Sequence, residues 1–230
     1  MVFAIILKIV ILLTMSGKIA ENIATVKAKI ANLRPSAELV AVSKNHDEAA
    51  VREAIAAGQR IFGENRVQEA QGKFPKLRTE FSELRLHLIG PLQTNKIKDA
   101  LAIFDVIETL DREKLAREFV KHDLKGKEFF IQVNIGEEPQ KAGVSPQETE
   151  AFYKLCTEEL KLNITGLMCI PPVGEPAFMY FALLKNMAKK LNPGLKLSMG
   201  MSADYEQALE LGADFVRIGT AVFGQRVINV

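Results

Sequence analysis

Eight short apolar runs, each leading into a stretch with helical spacing, constrain this chain more than anything else in it. The runs are ELVAVS, RIFG, LHLIG, FDVIET, EFFIQVNI, ITGLMCI, LKLSMG and DFVRIG. Between them lie DEAAVREAIAAG, RVQEAQGKFPKL, TNKIKDALA, REKLAREFVKHD, PQETEAFYKLCTEEL, AFMYFALLKNMAKKL and ADYEQALELG. Several runs are near-continuously hydrophobic, as strands covered on both faces of a parallel sheet are. Alternating strand and helix predicts an α/β fold, and eight strands predict a (β/α)8 TIM-type barrel. A doubly wound open sheet is the alternative arrangement. No linker, repeat or low-complexity stretch divides the chain, so one domain is expected.

Upstream of the first run, MSGKIAENIATVKAKIANL places Ile19, Ile23, Val26 and Ile30 on one helical face. Ser16 is a candidate cap. Little chain follows the eighth strand, so this helix is expected to pack beside the barrel where a closing helix would otherwise lie. Residues 1–14, MVFAIILKIVILLT, are apolar apart from Lys8 and Thr14. They fall short of the ~20 residues of a spanning helix. No basic region precedes them and no small-x-small site follows, as a signal peptide would require. We read them as an N-terminal extension ahead of a start at Met15, with the barrel domain over 15–230. A signal or membrane anchor is the alternative.

Charge narrows the partners. Thirty Lys and Arg face 28 Asp and Glu, a formal net charge of +2. That balance gives no reason to expect a nucleic-acid or anionic-membrane partner. The cysteines, Cys156 and Cys169, are too few and too far apart for a disulfide scaffold or a zinc site. They fit a reducing, cytoplasmic setting and are expected to be buried and inert. With His46, His87 and His122 as the only histidines, and no H-x-x-x-H or C-x-x-C, no metal site is expected.

The chemistry of such a barrel gathers at the C-terminal ends of its strands. LVAVSKNHDE delivers Lys44 there, just past strand one. SMGMSADYEQAL follows strand seven with Ser202, and RIGTAVFG follows strand eight with Gly219 and Thr220. Loops seven and eight often hold phosphate, because glycine lets backbone approach an anion and helix starts offer free N–H groups. Each signal has a plain counterpart: a solvated strand end for Lys44, an N-cap for Ser202, a simple turn for RIGT. Together, an amine facing a phosphate cradle suits a phosphorylated aldehyde.

AVSKNH, FGENRVQE, HLIGPLQTNK, QVNIGEEPQKAG, GLMCIPP, LSMGMSADYEQAL and VRIGTAVFG occur in this order. Over roughly Met15 to Arg226 the chain resembles the pyridoxal-phosphate homeostasis proteins, whose barrel is similar to the N-terminal domain of alanine racemase. The resemblance implies pyridoxal 5'-phosphate as cofactor, held as an aldimine at Lys44. It implies phosphate contacts from Ser202, Gly219, Thr220 and the backbone of Met201, Arg217 beside the pyridine nitrogen, and Asn65 near the cofactor. Asn65 also reads as a turn residue opening the following helix. His87 reads as a satisfied core histidine more readily than a pocket residue. Lys141 matches a family lysine but reads as a solvated loop residue. The chain departs from the pattern at His46, where a second lysine is frequent, at Arg66 in place of a tyrosine, and at Leu86 in place of an aromatic.

The function implied is a carrier taking part in intracellular cofactor homeostasis, with no strong catalysis of its own and no catalytic residue assigned. Its expected partners are the cofactor and cofactor-dependent apoenzymes. A monomer is expected, with a dimer as the alternative. An amino-acid racemase is the second reading, and a Schiff-base aldolase or sugar-phosphate enzyme the third.

Overall fold

The structure is a computed structural model of the 230-residue chain and describes residues 17–224. All eight apolar runs are strands: β1 Glu38–Val42, β2 Ile61–Glu64, β3 Arg85–Leu88, β4 Val106–Leu110, β5 Glu128–Val133, β6 Ile164–Cys169, β7 Lys196–Ser198 and β8 Phe215–Ile218. Each pairs in parallel with the next, and β8 returns to β1 with Leu39 opposite Val216 and Val40 opposite Arg217. The sheet is therefore a closed barrel, the fold expected of the pattern, and not an open doubly wound sheet.

The helices are α1 Lys18–Leu33, α2 Glu48–Ala56, α3 Val67–Glu80, α4 Ile97–Ile103, α5 Glu113–Phe119, α6 Thr149–Lys154, α7 Ala177–Leu191, α8 Tyr205–Glu210 and α9 Thr220–Phe223. Two are less regular than their sequence pattern. A 3-10 turn, Thr94–Lys96, precedes α4, and α6 runs on into a π-turn at Leu155–Glu159.

Two hydrophobic layers hold the barrel. The larger lies between strands and helices. The smaller fills the barrel itself: Val40, Ile61, Val106, Phe130, Met168 and Phe215. Phe130 fits because β6 yields room at Gly166, where a Cβ would lie 2.2 Å from its ring.

Helix α1 occupies the expected place, against α2, α8 and α9. Its buried side chains are Ile19, Ile23, Val26 and Ile30, the predicted face. The cap position falls to Gly17, which supplies no side-chain bond. Ser16 and the apolar segment 1–14 lie outside the described residues. Among the described residues no helix is long and apolar enough to cross a membrane. Ile23 is 1% exposed, so removing one methyl leaves a small void. We expect Ile23→Val to lower unfolding stability by about 0.5–1.5 kcal/mol in urea titration. No change would mean that α1 is not part of the cooperative core.

Candidate cofactor site at the barrel mouth

Lys44 stands on a turn rather than on a strand. β1 ends at Val42, and Ser43 still donates its N–H to the Gly63 carbonyl at 3.1 Å. The His46 N–H then donates to the Ser43 carbonyl at 3.1 Å, closing a turn with Lys44 and Asn45 at its centre. Asn45 has φ of 62°, the left-handed conformation that the third residue of a type II turn needs and that asparagine tolerates. The His46 ring stacks on Phe223 of α9, with centroids 4.8 Å apart. The Lys44 turn thus leans on the helix that follows β8.

That helix carries one half of the expected phosphate cradle. Gly219 occupies its N-cap, and the Gly219 carbonyl accepts from Val222 and Phe223. A Cβ at Gly219 would sit 3.4 Å from the Val42 carbonyl oxygen, so the loop lies against the end of β1. The other half comes from the loop after β7. Gly200, at φ 91°, makes that loop possible, since a Cβ there would meet Ala208 at 2.6 Å. Ser202 does not cap α8; that position falls to Asp204. Instead the Ser202 hydroxyl accepts from the Ala221 N–H at 3.4 Å, joining the two loops. Met201 donates its N–H to the Asp204 carboxylate at 2.6 Å, so that donor serves the loop itself.

Beneath this rim lies a polar cluster that the sequence did not announce. Arg217, 4% exposed, donates to the Ser198 hydroxyl at 2.7 Å and to the Cys169 carbonyl at 2.8 Å. The Ser198 hydroxyl in turn donates to Glu108 at 2.6 Å, and the Arg217 guanidinium lies 3.7 Å from the same carboxylate. The other oxygen of Glu108 sits 2.6 Å from His87 Nδ1. Burial pushes the Glu108 carboxyl up, but His87, Arg217 and Ser198 together outweigh it and hold the group below its ordinary value. His87 is fully buried, as expected of a core histidine, yet only half satisfied, because its Nε2 has no hydrogen-bond partner.

Other expectations need adjusting. Asn65 is half-buried on the bend after β2, and Arg66 rather than Asn65 takes the cap of α3. Gly90 backs Asn65 so closely that a Cβ would come within 2.3 Å of its carbonyl oxygen. Lys141 is not a solvated loop lysine: it reaches the Pro171 carbonyl at 3.1 Å and pairs with Glu138. Both cysteines are buried, and burial pushes each thiol up to about 12, as expected of inert residues. Among the described residues no group of His, Cys, Asp and Glu is arranged to hold a metal.

Residues 16–227 match the family described as alanine racemase, N-terminal domain. The chain is 42% identical to the pyridoxal phosphate homeostasis protein of Pseudomonas aeruginosa, over 90% of this chain and 96% of that one. It is 38% identical to the protein of the same name from Escherichia coli, over 90% and 97%. Among solved structures, PipY of Synechococcus elongatus with pyridoxal phosphate (PLP) bound superposes with a TM-score of 0.79 at 39% identity, over 90% of this chain and 100% of that one. Alanine racemase from Corynebacterium glutamicum shares the fold, with a TM-score of 0.68 at 18% identity, over 93% of this chain and 63% of that one. The chain belongs to the family of pyridoxal phosphate homeostasis proteins, built on the barrel of the alanine racemase N-terminal domain.

Proposed function

We propose that this protein binds pyridoxal 5'-phosphate at the barrel mouth, covalently through Lys44, and serves as a carrier in cofactor homeostasis without substantial catalysis. The observation that carries the reading is the meeting of two loops: the Lys44 turn rests on α9 through His46 and Phe223, and α9 begins at Gly219 and Thr220. The donor set fits a phosphate monoester. It offers the Ser202 and Thr220 hydroxyls and the N–H groups at the start of α9, on backbone brought close by Gly200 and Gly219. The PLP-bound structure of the PipY relative supports the same choice of ligand.

Bound there, pyridoxal phosphate would supply an aldehyde, and Lys44 would be the residue whose amine holds it. Arg217 sets the electronic character of the site. A guanidinium is a hydrogen-bond donor and not a proton source, so beside a ring nitrogen Arg217 would donate to it and leave it unprotonated. A ring nitrogen left unprotonated makes a weaker electron sink than one paired with a carboxylate. Ser198 and the Cys169 carbonyl fix the guanidinium in place.

Racemisation requires acid–base groups on both faces of the substrate carbon. Lys44 serves one. Tyr180 donates to Glu175, Tyr205 contacts Lys29 on α1, and Tyr153 packs against the core within α6, so all three tyrosines are committed elsewhere. Handing the cofactor to apoenzymes, as a monomer in the cytoplasm, is part of this proposal.

The test is borohydride reduction of the purified protein, peptide mapping by mass spectrometry, and solvent-deuterium exchange at Cα of alanine. A reduced adduct on Lys44 with slow exchange and no inversion is the expected result. An adduct on a different lysine would overturn the binding assignment, and rapid inversion would make the protein a racemase.

A further inference from the structure

A second lysine lies under the first. Lys73 of α3 is only 7% exposed, uncommon for a lysine. Its ammonium has four acceptors within hydrogen-bond reach: Glu64 at 2.7 Å, the Ser43 carbonyl at 2.9 Å, Glu69 at 3.0 Å and the His46 carbonyl at 3.1 Å. Two of these are the first and last carbonyls of the turn that carries Lys44. The same carboxylates grip the turn as well. Glu64 accepts from the Ser43 hydroxyl at 2.7 Å, and Glu69 accepts from the Asn45 N–H. Glu64 is fully buried at the end of β2, so this cluster sits between barrel wall and helix, outside the barrel interior.

We propose that Lys73 is a positioning residue for Lys44: its buried ammonium, held by Glu64 and Glu69, locks the Ser43–His46 turn in the one conformation that presents the Lys44 amine to the cofactor aldehyde. The inference rests on the reading of Lys44 given above. Its physical basis is the turn itself. Asn45, the exposed residue of the turn, is in a left-handed conformation, which a four-residue turn does not hold uniquely without support. One ammonium spanning both end carbonyls supplies that support, and charge-assisted bonds are the strong ones.

Lys73→Met alone leaves Glu64 buried beside a methyl group and is open to simple misfolding. The informative protein is therefore the double variant Lys73→Met/Glu64→Gln, which removes the two buried charges together, leaves the partly exposed Glu69 carboxylate to solvent, and keeps an acceptor for Ser43. The full chain, stripped of cofactor, is mixed with pyridoxal phosphate, and formation of the borohydride-trapped Lys44 adduct is timed across pH. Affinity for inorganic phosphate and the melting temperature are measured on the same samples.

The expected result is a folded double variant with phosphate affinity within about twofold of the parent. Its adduct forms roughly tenfold to a hundredfold more slowly at every pH, the scale by which small misplacements slow a reaction. Adduct formation at the parental rate, whether or not the melting temperature falls, would reduce Lys73 to a structural ion pair and overturn the inference alone. If the parent itself forms its adduct on another lysine, the reading of Lys44 fails and this inference fails with it.

Discussion

Lys44→Ala is expected to abolish the covalent linkage to pyridoxal phosphate completely while leaving the protein folded and able to bind phosphate. Lys44 is half-buried at the centre of a surface turn, so its loss opens no void in the core. The turn survives, because hydrogen bonds through the backbone of Ser43 and His46 and from the Lys73 ammonium remain. The donors around Ser202, Gly219 and Thr220 are likewise untouched. In the variant the absorbance of a bound internal Schiff base should be missing at every cofactor concentration, and borohydride should fix no adduct. Inorganic phosphate should still compete with the cofactor for the non-covalent site. A borohydride adduct that persists in the variant would show that a different amine had been the partner all along.

Glu108→Ala is expected to give the largest loss of stability, about 3–5 kcal/mol, the range for breaking a buried ion pair from one side. Glu108 is fully buried, and three groups depend on it: Arg217, Ser198 and His87. Its removal strands the guanidinium in the barrel without its carboxylate. Urea unfolding at neutral pH measures the loss, and a value under about 1 kcal/mol would place the pair in the class of surface salt bridges. The pH dependence has a definite sign. The folded state holds the Glu108 carboxyl below its ordinary value. Its contribution is therefore present above the unfolded value of about 4.3 and is lost as pH falls through the lower folded value. The stability gap between the parent and Glu108→Gln should narrow as the solution is acidified below about pH 4.3.

Much of the scaffold was legible in the sequence because a parallel barrel writes its strands plainly. Residues such as Val40, Phe62, Ile107 and Leu167 are buried whichever face they occupy, so the runs are continuous and easy to see. The amphipathic stripe of α1 is equally direct. The glycines of the loops after β7 and β8 were legible as points of close packing, and Gly200 and Gly219 stand there. The polar groups beneath the rim were not. Glu69 and Lys73 stand four apart on a helix and read as an ordinary solvated pair. Nothing local shows that Glu64 and Ser43, 21 positions apart, close over them. Glu108 and Ser198 meet across 90 residues of chain. A buried ion pair between distant elements has the composition of a surface, and only the folded chain brings its members together. Ser202 was misleading in the opposite way. Its sequence context suits a helix cap, while its hydroxyl reaches across to Ala221.

The closure of the barrel has a consequence for how the protein comes into being on the ribosome. Glu38 pairs with Phe215, and Asn22 of α1 donates to the Val222 carbonyl 200 residues later. The proposed phosphate cradle comes from the loops after β7 and β8, while the proposed amine stands on the turn after β1. At roughly 5–20 residues per second, the turn bearing Lys44 waits for at least several seconds of translation before its counterpart emerges. On the proposed reading, a nascent chain has one half of the site until β8 emerges and does not yet grip the ligand. On that reading binding reports closure of the barrel, and the ligand stabilises only the closed barrel.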